Sequence, residues 1–358
     1  MREPAIVTVA QLPEFDELID VRSESEFAED HIPGAVNCPV LDDNERARVG
    51  TIYKQVSPFD AKKIGAALVS ANIARHIRTR FVDRPRAWRP LLYCWRGGER
   101  SGAFAHVLAQ VGWHVGRLDG GYRAYRRAVV AALDTLPAGF EWRVVCGLTG
   151  TGKSRLLRAL QDAGSQVLDL EALAAHRGSV LGELPDAKQP TQKGFESAIW
   201  GVLSRFDSRR PVYVEAESRK VGNLNVPPAL IGSMWASECV VIEAPVAARV
   251  ALLKEEYAHF LEQPENLIAK LECLTALHGR AVIAGWRELA LQRRWDELTA
   301  ELLVKHYDPA YTRAIVKHYP ALERARRFQI VETLSEARFQ DLARQVTVSD
   351  RPGSRRGH

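Results

Sequence analysis

The segment Gly147-Leu148-Thr149-Gly150-Thr151-Gly152-Lys153-Ser154 leaves a chain little choice of fold. It follows an apolar run, Trp142 to Cys146, and precedes a helix-forming run, Arg155 to Leu160. Gly-x4-Gly-Lys-Ser in that setting specifies strand, tight loop and helix. Glycines let the backbone curl until successive N–H groups point at one anion. Lys153 adds a point charge, and Ser154 offers a hydroxyl to Mg²⁺. Gly147, Gly150, Thr151, Gly152, Lys153 and Ser154 are therefore the candidate diphosphate-binding residues. Further strand-like runs, Val167-Leu168-Asp169, Pro211 to Glu215 and Cys239 to Glu243, alternate with helical patterns near 171–175 and 194–206. Such alternation predicts a parallel sheet with helices on both faces. From Ala247 to about Ala343 the pattern is almost all helical.

Ligand-binding loops of such sheets lie past the strand ends. Asp169, Glu215 and Glu217 fall there, and each could hold Mg²⁺ through water or be an ordinary solvated strand end. His176-Arg177-Gly178-Ser179 lies just past Asp169. Its Arg and Gly suit an anion, while its spacing equally suits a plain helix end. With Arg219, the residues Asp169, His176, Arg177, Ser179, Glu215 and Glu217 form the candidate second-domain site.

A second chemical signal is Tyr93-Cys94-Trp95-Arg96-Gly97-Gly98-Glu99-Arg100-Ser101. Leu91, Leu92 and Tyr93 read as a short buried strand, and Gly102 to Val111 as a helix. A loop wrapped around a sulfur and ending at a helix N-terminus turns its N–H groups inward and adds positive potential. Both favour thiolate over thiol, so Cys94 is expected to be ionised and nucleophilic near neutral pH. The alternative is a buried structural cysteine, for which glycines and arginines are poor neighbours. Cys94, Arg100 and Arg96 are the catalytic candidates, and Trp95, Gly97, Gly98, Glu99 and Ser101 complete the anion loop.

At 358 residues two domains are expected, with Leu136-Pro137-Ala138-Gly139 as the linker. The expected limits are 1–135, with a basic helical insertion at about 41–90, then 140–345, then a disordered basic tail at 346–358. Five cysteines without metal-ligand spacing fit a reducing compartment. The start of the chain lacks the apolar core of a leader, and no apolar run approaches the ~20 residues of a membrane span. A cytoplasmic protein is expected. The net charge of +5 permits an anionic partner. The basic residues between Arg46 and Arg89 read either as a solvated helix face or as a phosphate-backbone contact surface.

Asp20-Val21-Arg22-Ser23 through Glu26-Phe27, then His31-Ile32-Pro33-Gly34-Ala35-Val36-Asn37, resembles the N-terminal signature of rhodanese domains. The Cys94 loop stands where that family has its catalytic loop. Sulfurtransferase rhodaneses usually have four residues between Cys and Arg; here five separate Cys94 from Arg100, the length found in phosphatase relatives of the fold. A wider ring suits a larger group than sulfur.

Over about residues 5 to 345 the chain resembles the tRNA 2-selenouridine synthase family, in which a rhodanese domain is fused to a P-loop domain. Besides both loops, the resemblance rests on Val49-Gly50-Thr51-Ile52-Tyr53-Lys54-Gln55, His176-Arg177-Gly178-Ser179, Glu217-Ser218-Arg219 and His306-Tyr307-Asp308-Pro309-Ala310-Tyr311. It implies an α/β protein: an N-terminal rhodanese-like domain plus a P-loop NTPase-like parallel-sheet domain with a helical C-terminal extension. It implies a cytoplasmic selenotransferase acting on wobble 2-thiouridine of the tRNAs for Lys, Glu and Gln. Geranyl diphosphate would alkylate the sulfur, and selenium from selenophosphate would then replace it, with Cys94 carrying or steering the selenium. A selenophosphate-supplying enzyme is an implied partner. Two rivals are a phosphatase of this fold joined to a small-molecule kinase, and a catalytically dead rhodanese on a nucleotide switch.

Overall fold

The computed structural model describes residues 3–179, 181–185, 187–330 and 334–349. The chain divides into two compact units, one formed by 1–132 with 190–201 and the other by 133–189 with 202–358.

The first unit is built on a five-stranded parallel sheet in the order Ala5–Val7, Gly116–Leu118, Pro90–Tyr93, Glu17–Asp20, Val36–Asn37. Its central strand, Pro90–Tyr93, is buried throughout. A strand covered on both faces needs such a continuous apolar run. At its foot Arg22 is buried, with Nη2 2.6 Å from Asp20 Oδ2 and 2.6 Å from the carbonyl of Asp30. The Arg22 guanidinium also lies 4.0 Å from the Tyr122 ring centroid, and the Tyr122 hydroxyl donates to Asp30 Oδ2 at 2.7 Å. Asp20 and Arg22 of the rhodanese-like signature, with Asp30, thus tie the strand Glu17–Asp20 to Tyr122 on the helix Gly121–Thr135.

Between the strands lies a helical hairpin, Asp43–Gln55 and Pro58–His76. Asp42 caps the first helix by accepting from the N–H of Glu45, and Ser57 caps the second. Gly65 of the second helix faces Val49 of the first. Residues 190–201, inside the stretch expected to form the P-loop domain, make their contacts with this unit. Lys193 pairs with Glu29 at 2.6 Å, and Trp200 meets Tyr125 edge-on at 5.4 Å. These partners, distant in sequence, give local periodicity no sign of the exchange.

The second unit holds a parallel sheet in the order Arg326–Gln329, Glu238–Glu243, Trp142–Cys146, Val212–Glu215, Gln166–Leu168. The edge strand Arg326–Gln329 lies inside the stretch expected to be helical. It is short and basic, so no apolar run betrays it, and charge is a common way to protect a sheet edge. The expected linker forms a short 3₁₀ turn, Leu136–Gly139, whose Pro137 carbonyl accepts from the Trp142 indole at 2.8 Å. Residues 346–349, expected to begin the disordered tail, instead complete the helix Glu336–Ser349. Phe339, Leu342 and Val346 bury that helix against Leu156, Leu157 and Leu160. Residues 350–358 of the expected tail lie outside the described residues. No helix among the described residues is long and apolar enough to cross a membrane.

Candidate functional site

In the first unit the strand Pro90–Tyr93 delivers Cys94 to the start of the helix Glu99–Val111. Gly97 and Gly98 both take positive φ, +74° and +77°, which turns the loop around the sulfur. The thiol is 2% exposed and contacts the carbonyl of Arg96 at 3.7 Å. Ser101, itself buried, donates its hydroxyl to Cys94 Sγ at 3.4 Å. Ser101 thus supplies a side-chain donor to the sulfur.

The loop is anchored from behind by the N–H of Tyr122 on the Cys94 carbonyl at 2.8 Å and of Arg123 on the Trp95 carbonyl at 3.2 Å. Gly121 makes this approach feasible: its φ is +58°, and a Cβ would stand 2.4 Å from the Cys94 oxygen. Trp95 stacks on Tyr122 at 5.3 Å and stays 37% exposed.

The two candidate anion-binding arginines differ. Arg96 is exposed and has no side-chain partner among the described residues. Arg100 is paired with Glu26 at 2.9 Å. Burial works against the Glu26 carboxylate, yet its bond to Arg100 prevails and lowers its pKa. An anion bound in the loop would compete with Glu26 for Arg100. Glu26 carried no chemical signal in the sequence, because a helix capping box with Ser23 already accounts for it.

In the second unit the phosphate loop lines a cleft of about 950 Å³. Gly152 opens the helix Lys153–Asp162 with φ +84°, and a Cβ there would strike Phe339 at 2.2 Å. The Lys153 ammonium lies 3.0 Å from the Gly147 carbonyl and 5.3 Å from the Tyr311 ring centroid. Gly147 donates its N–H to the Tyr311 hydroxyl at 2.9 Å, and Thr151 is buried with Oγ1 on the Leu148 carbonyl at 2.9 Å. These two expected diphosphate ligands therefore shape the loop, whereas Gly150, Gly152, Lys153 and Ser154 face the cleft.

Behind the loop, Arg249 is 1% exposed. It donates to the Thr149 carbonyl at 2.8 Å and grips both oxygens of Asp308. This bidentate pair ties the His306-to-Tyr311 motif to the loop.

The carboxylates sort differently from the sequence expectation. Asp169 caps a helix by accepting from the N–H of Ala172 at 2.8 Å, and Glu215 is buried, accepting from the N–H of Glu171 at 2.8 Å. The second oxygen of Glu215 has no partner. The residue that meets Ser154 is Glu171, 3.2 Å from its hydroxyl and absent from the expected set. A strand-end rule finds Asp169 but not a carboxylate two residues later, in the first turn of the helix Leu170–Ala174. Among the described residues no three His, Cys, Asp or Glu groups are placed to enclose an ion. Mg²⁺ needs fewer protein ligands when phosphate supplies the rest, so hard oxygens from Ser154 and Glu171 fit it.

Glu217 lies in the cleft, its backbone fixed by the Tyr319 hydroxyl, which donates to its carbonyl at 2.9 Å and accepts from its N–H at 3.1 Å. Burial, reinforced by Glu171, pushes the Glu217 carboxyl up to about 8. Asp169, Glu171 and Glu215 are raised too, chiefly by burial, while Lys153 pulls Glu171 and Glu217 downward. An acid whose folded pKa exceeds its unfolded value, here 4.5, holds its proton more tightly in the folded state. Its contribution is complete below the unfolded value and disappears as pH rises through the folded one. Thermal melting of the free protein should therefore fall between about pH 5 and 8, and Glu217→Gln should flatten that decline. Parallel curves for both proteins would refute this account of the cleft.

The remaining candidates divide. His176 is buried, its pKa lowered by burial, and Nδ1 accepts from the N–H of Gly178 at 3.0 Å, so it holds its own loop. Arg177 stands 4.7 Å over the Tyr257 ring and donates to the Glu256 carbonyl, and Ser179 lines the cleft together with Tyr257 and Tyr307. Arg219 does not line the cleft; it lies 5.4 Å over the Trp235 ring. The wall the sequence could not place is apolar and aromatic: Leu253, Tyr257, Ala310, Tyr311, Ala314 and Phe339.

Comparison with known proteins matches residues 8–128 to the rhodanese-like domain family and 140–272 to the tRNA 2-selenouridine synthase AAA domain. A tRNA 2-selenouridine synthase of Hydrogenovibrio crunogenus is 33% identical over 82% of this chain and 88% of its own length. One from Aeromonas salmonicida is 32% identical over 82% of this chain and 86% of its length. One from Nitrosomonas europaea is 37% identical over 67% of this chain, which spans 63% of that relative's length.

Proposed function

This chain belongs to the tRNA 2-selenouridine synthase family, and we propose that its two units perform successive steps on one wobble 2-thiouridine. The reading takes as substrates the tRNAs for Lys, Glu and Gln, geranyl diphosphate and selenophosphate. In the first step the thiocarbonyl sulfur attacks C1 of geranyl diphosphate. A C–S bond forms, the C–O bond breaks, diphosphate leaves, and the base loses its N3 proton. The N–H groups at Gly150 and Gly152, with Lys153, hold the departing charge. The prenyl chain lies along Leu253, Ala310, Tyr311, Ala314 and Phe339. Ser154 and Glu171 are the residues that would hold Mg²⁺, which when bound supplies further neutralisation of the diphosphate.

Alkylation converts a poor leaving group into a good one and makes C2 electrophilic. In the second step the Cys94 thiolate attacks the phosphorus of selenophosphate, so that an S–P bond forms and the P–Se bond breaks; the hydrogen selenide set free attacks C2 and expels geranylthiol, and water then releases phosphate from the cysteine. Arg96, Arg100 and the loop N–H groups would hold the phosphate end of selenophosphate. Trp95 offers a face on which the splayed base can stack. The basic segment from Arg46 to Arg89 would contact the RNA backbone.

The observation carrying this reading is the cleft, with a phosphate cradle facing an apolar, aromatic wall. A prenyl diphosphate has both characters, and its use requires no nucleotide hydrolysis. Titration of the protein with geranyl diphosphate and with ATP tests it. Saturable binding of the prenyl compound, with ATP a weak competitor, is expected. Tight ATP binding that geranyl diphosphate leaves undisturbed would count against it.

A further inference from the structure

The tip of the helical hairpin in the first unit exposes large apolar side chains where a solvated turn would be polar. Tyr53, Val56 and Phe59 are 54%, 73% and 69% exposed. Single exposed apolar residues are ordinary. Three within one turn between two helices form a patch, and such patches mark interaction sites.

The chemistry around the patch narrows the occupant. Lys54 lies in the last turn of Asp43–Gln55, and Lys62 in the opening turns of Pro58–His76. Both are exposed, and neither has an ion-pair partner among the described residues. Lys63 pairs with Asp60 and stands 5.1 Å from the Phe59 ring centroid. The tip therefore presents two aromatic rings among unpaired lysines, with Asp60, already engaged, as the near carboxylate. An occupant of this patch must cover apolar rings and answer positive charge. A single-stranded nucleic acid meets both demands, because bases stack on the rings and phosphates face the lysines.

We propose that the hairpin tip is a docking point for unpaired bases of the substrate RNA loop, with Tyr53 and Phe59 as stacking surfaces and Lys54 and Lys62 as phosphate contacts. The inference rests on the tRNA reading above and goes beyond it in naming where loop bases are gripped and by which residues. The helices themselves do not depend on these residues, since their side chains are solvated.

The test is fluorescence anisotropy with a labelled anticodon stem-loop RNA and the full chain, measured across a salt series. Stacking is worth about 1–3 kcal/mol per base, so Tyr53→Ala with Phe59→Ala, which removes two stacking surfaces, should weaken binding roughly 30-fold or more. Its salt slope should stay at the wild-type value, because no phosphate contact is lost. Lys54→Ala with Lys62→Ala should reduce that slope by about 1.4. Tyr53→Phe with Phe59→Tyr should bind like wild type, because both rings are kept. Unchanged melting of every variant is expected from their exposure. Wild-type affinity in the double alanine variant would overturn the proposal while leaving the tRNA reading intact. So would a change in oligomeric state without a change in RNA affinity, which would give the tip to a second copy. If the wild-type chain itself ignores the stem-loop, the tRNA reading falls and this inference falls with it.

Discussion

Replacing Cys94 with alanine should reduce 2-selenouridine in tRNA on the order of 10⁴-fold or more, while S-geranyl-2-thiouridine persists or accumulates. Removing the nucleophile of an assembled site typically removes nearly all of its acceleration. The loop around the sulfur should survive the change. It is held by Gly97 and Gly98 at positive φ and by the N–H groups of Tyr122 and Arg123, none of which needs the thiol. Cys94→Ser keeps an oxygen for Ser101 to meet but forfeits the soft nucleophile, so it should fare little better. Nucleoside mass spectrometry of tRNA from cells carrying each variant reads both products at once. Normal selenouridine in either variant would remove Cys94 from the mechanism.

Lys153→Ala is the second large effect. It should depress geranylation about 10²–10³-fold, the usual cost of one preorganised group that meets developing charge. Its ammonium bonds to the Gly147 carbonyl, so part of the loss could reflect a loosened loop. Lys153→Arg with a melting curve separates the two causes. If charge matters, arginine restores part of the rate; if loop shape alone matters, the melting temperature of Lys153→Ala drops and arginine does not help. Unimpaired geranylation by a folded Lys153→Ala protein would contradict the diphosphate assignment.

Much of this was legible in the residues. The phosphate loop, with its flanking strand and helix, imposes a local geometry that tertiary context does not override. The strand Trp142–Cys146 begins and ends where its apolar run does. The Cys94 loop reads equally well, because its glycines are required by backbone conformation. What escaped has a common cause: it depends on partners far apart in sequence. Glu171 shows no signal until a helix start turns it toward Ser154. Glu26 reads as a capping residue and becomes the counter-ion of Arg100 only when the helices Glu24–Glu29 and Glu99–Val111 meet. The segment 190–201 joins the first unit through Lys193 and Trp200, whose partners lie more than sixty residues upstream. The strand Arg326–Gln329 is recognisable only from its register against Glu238–Glu243. Conversely, Gly147 and Thr151 fit the motif but spend polar groups elsewhere, the Gly147 N–H on the Tyr311 hydroxyl and the Thr151 hydroxyl on the Leu148 carbonyl.

The division of labour between a thiol loop and a diphosphate cleft is tested most directly by bypassing the first step. Lys153→Ala protein would be given RNA already carrying S-geranyl-2-thiouridine, together with selenophosphate, and 2-selenouridine formation would be timed. Conversion at close to the wild-type rate is expected, with none from Cys94→Ala under the same conditions. Failure of the Lys153 variant on the alkylated RNA, or success of the Cys94 variant, would contradict the account.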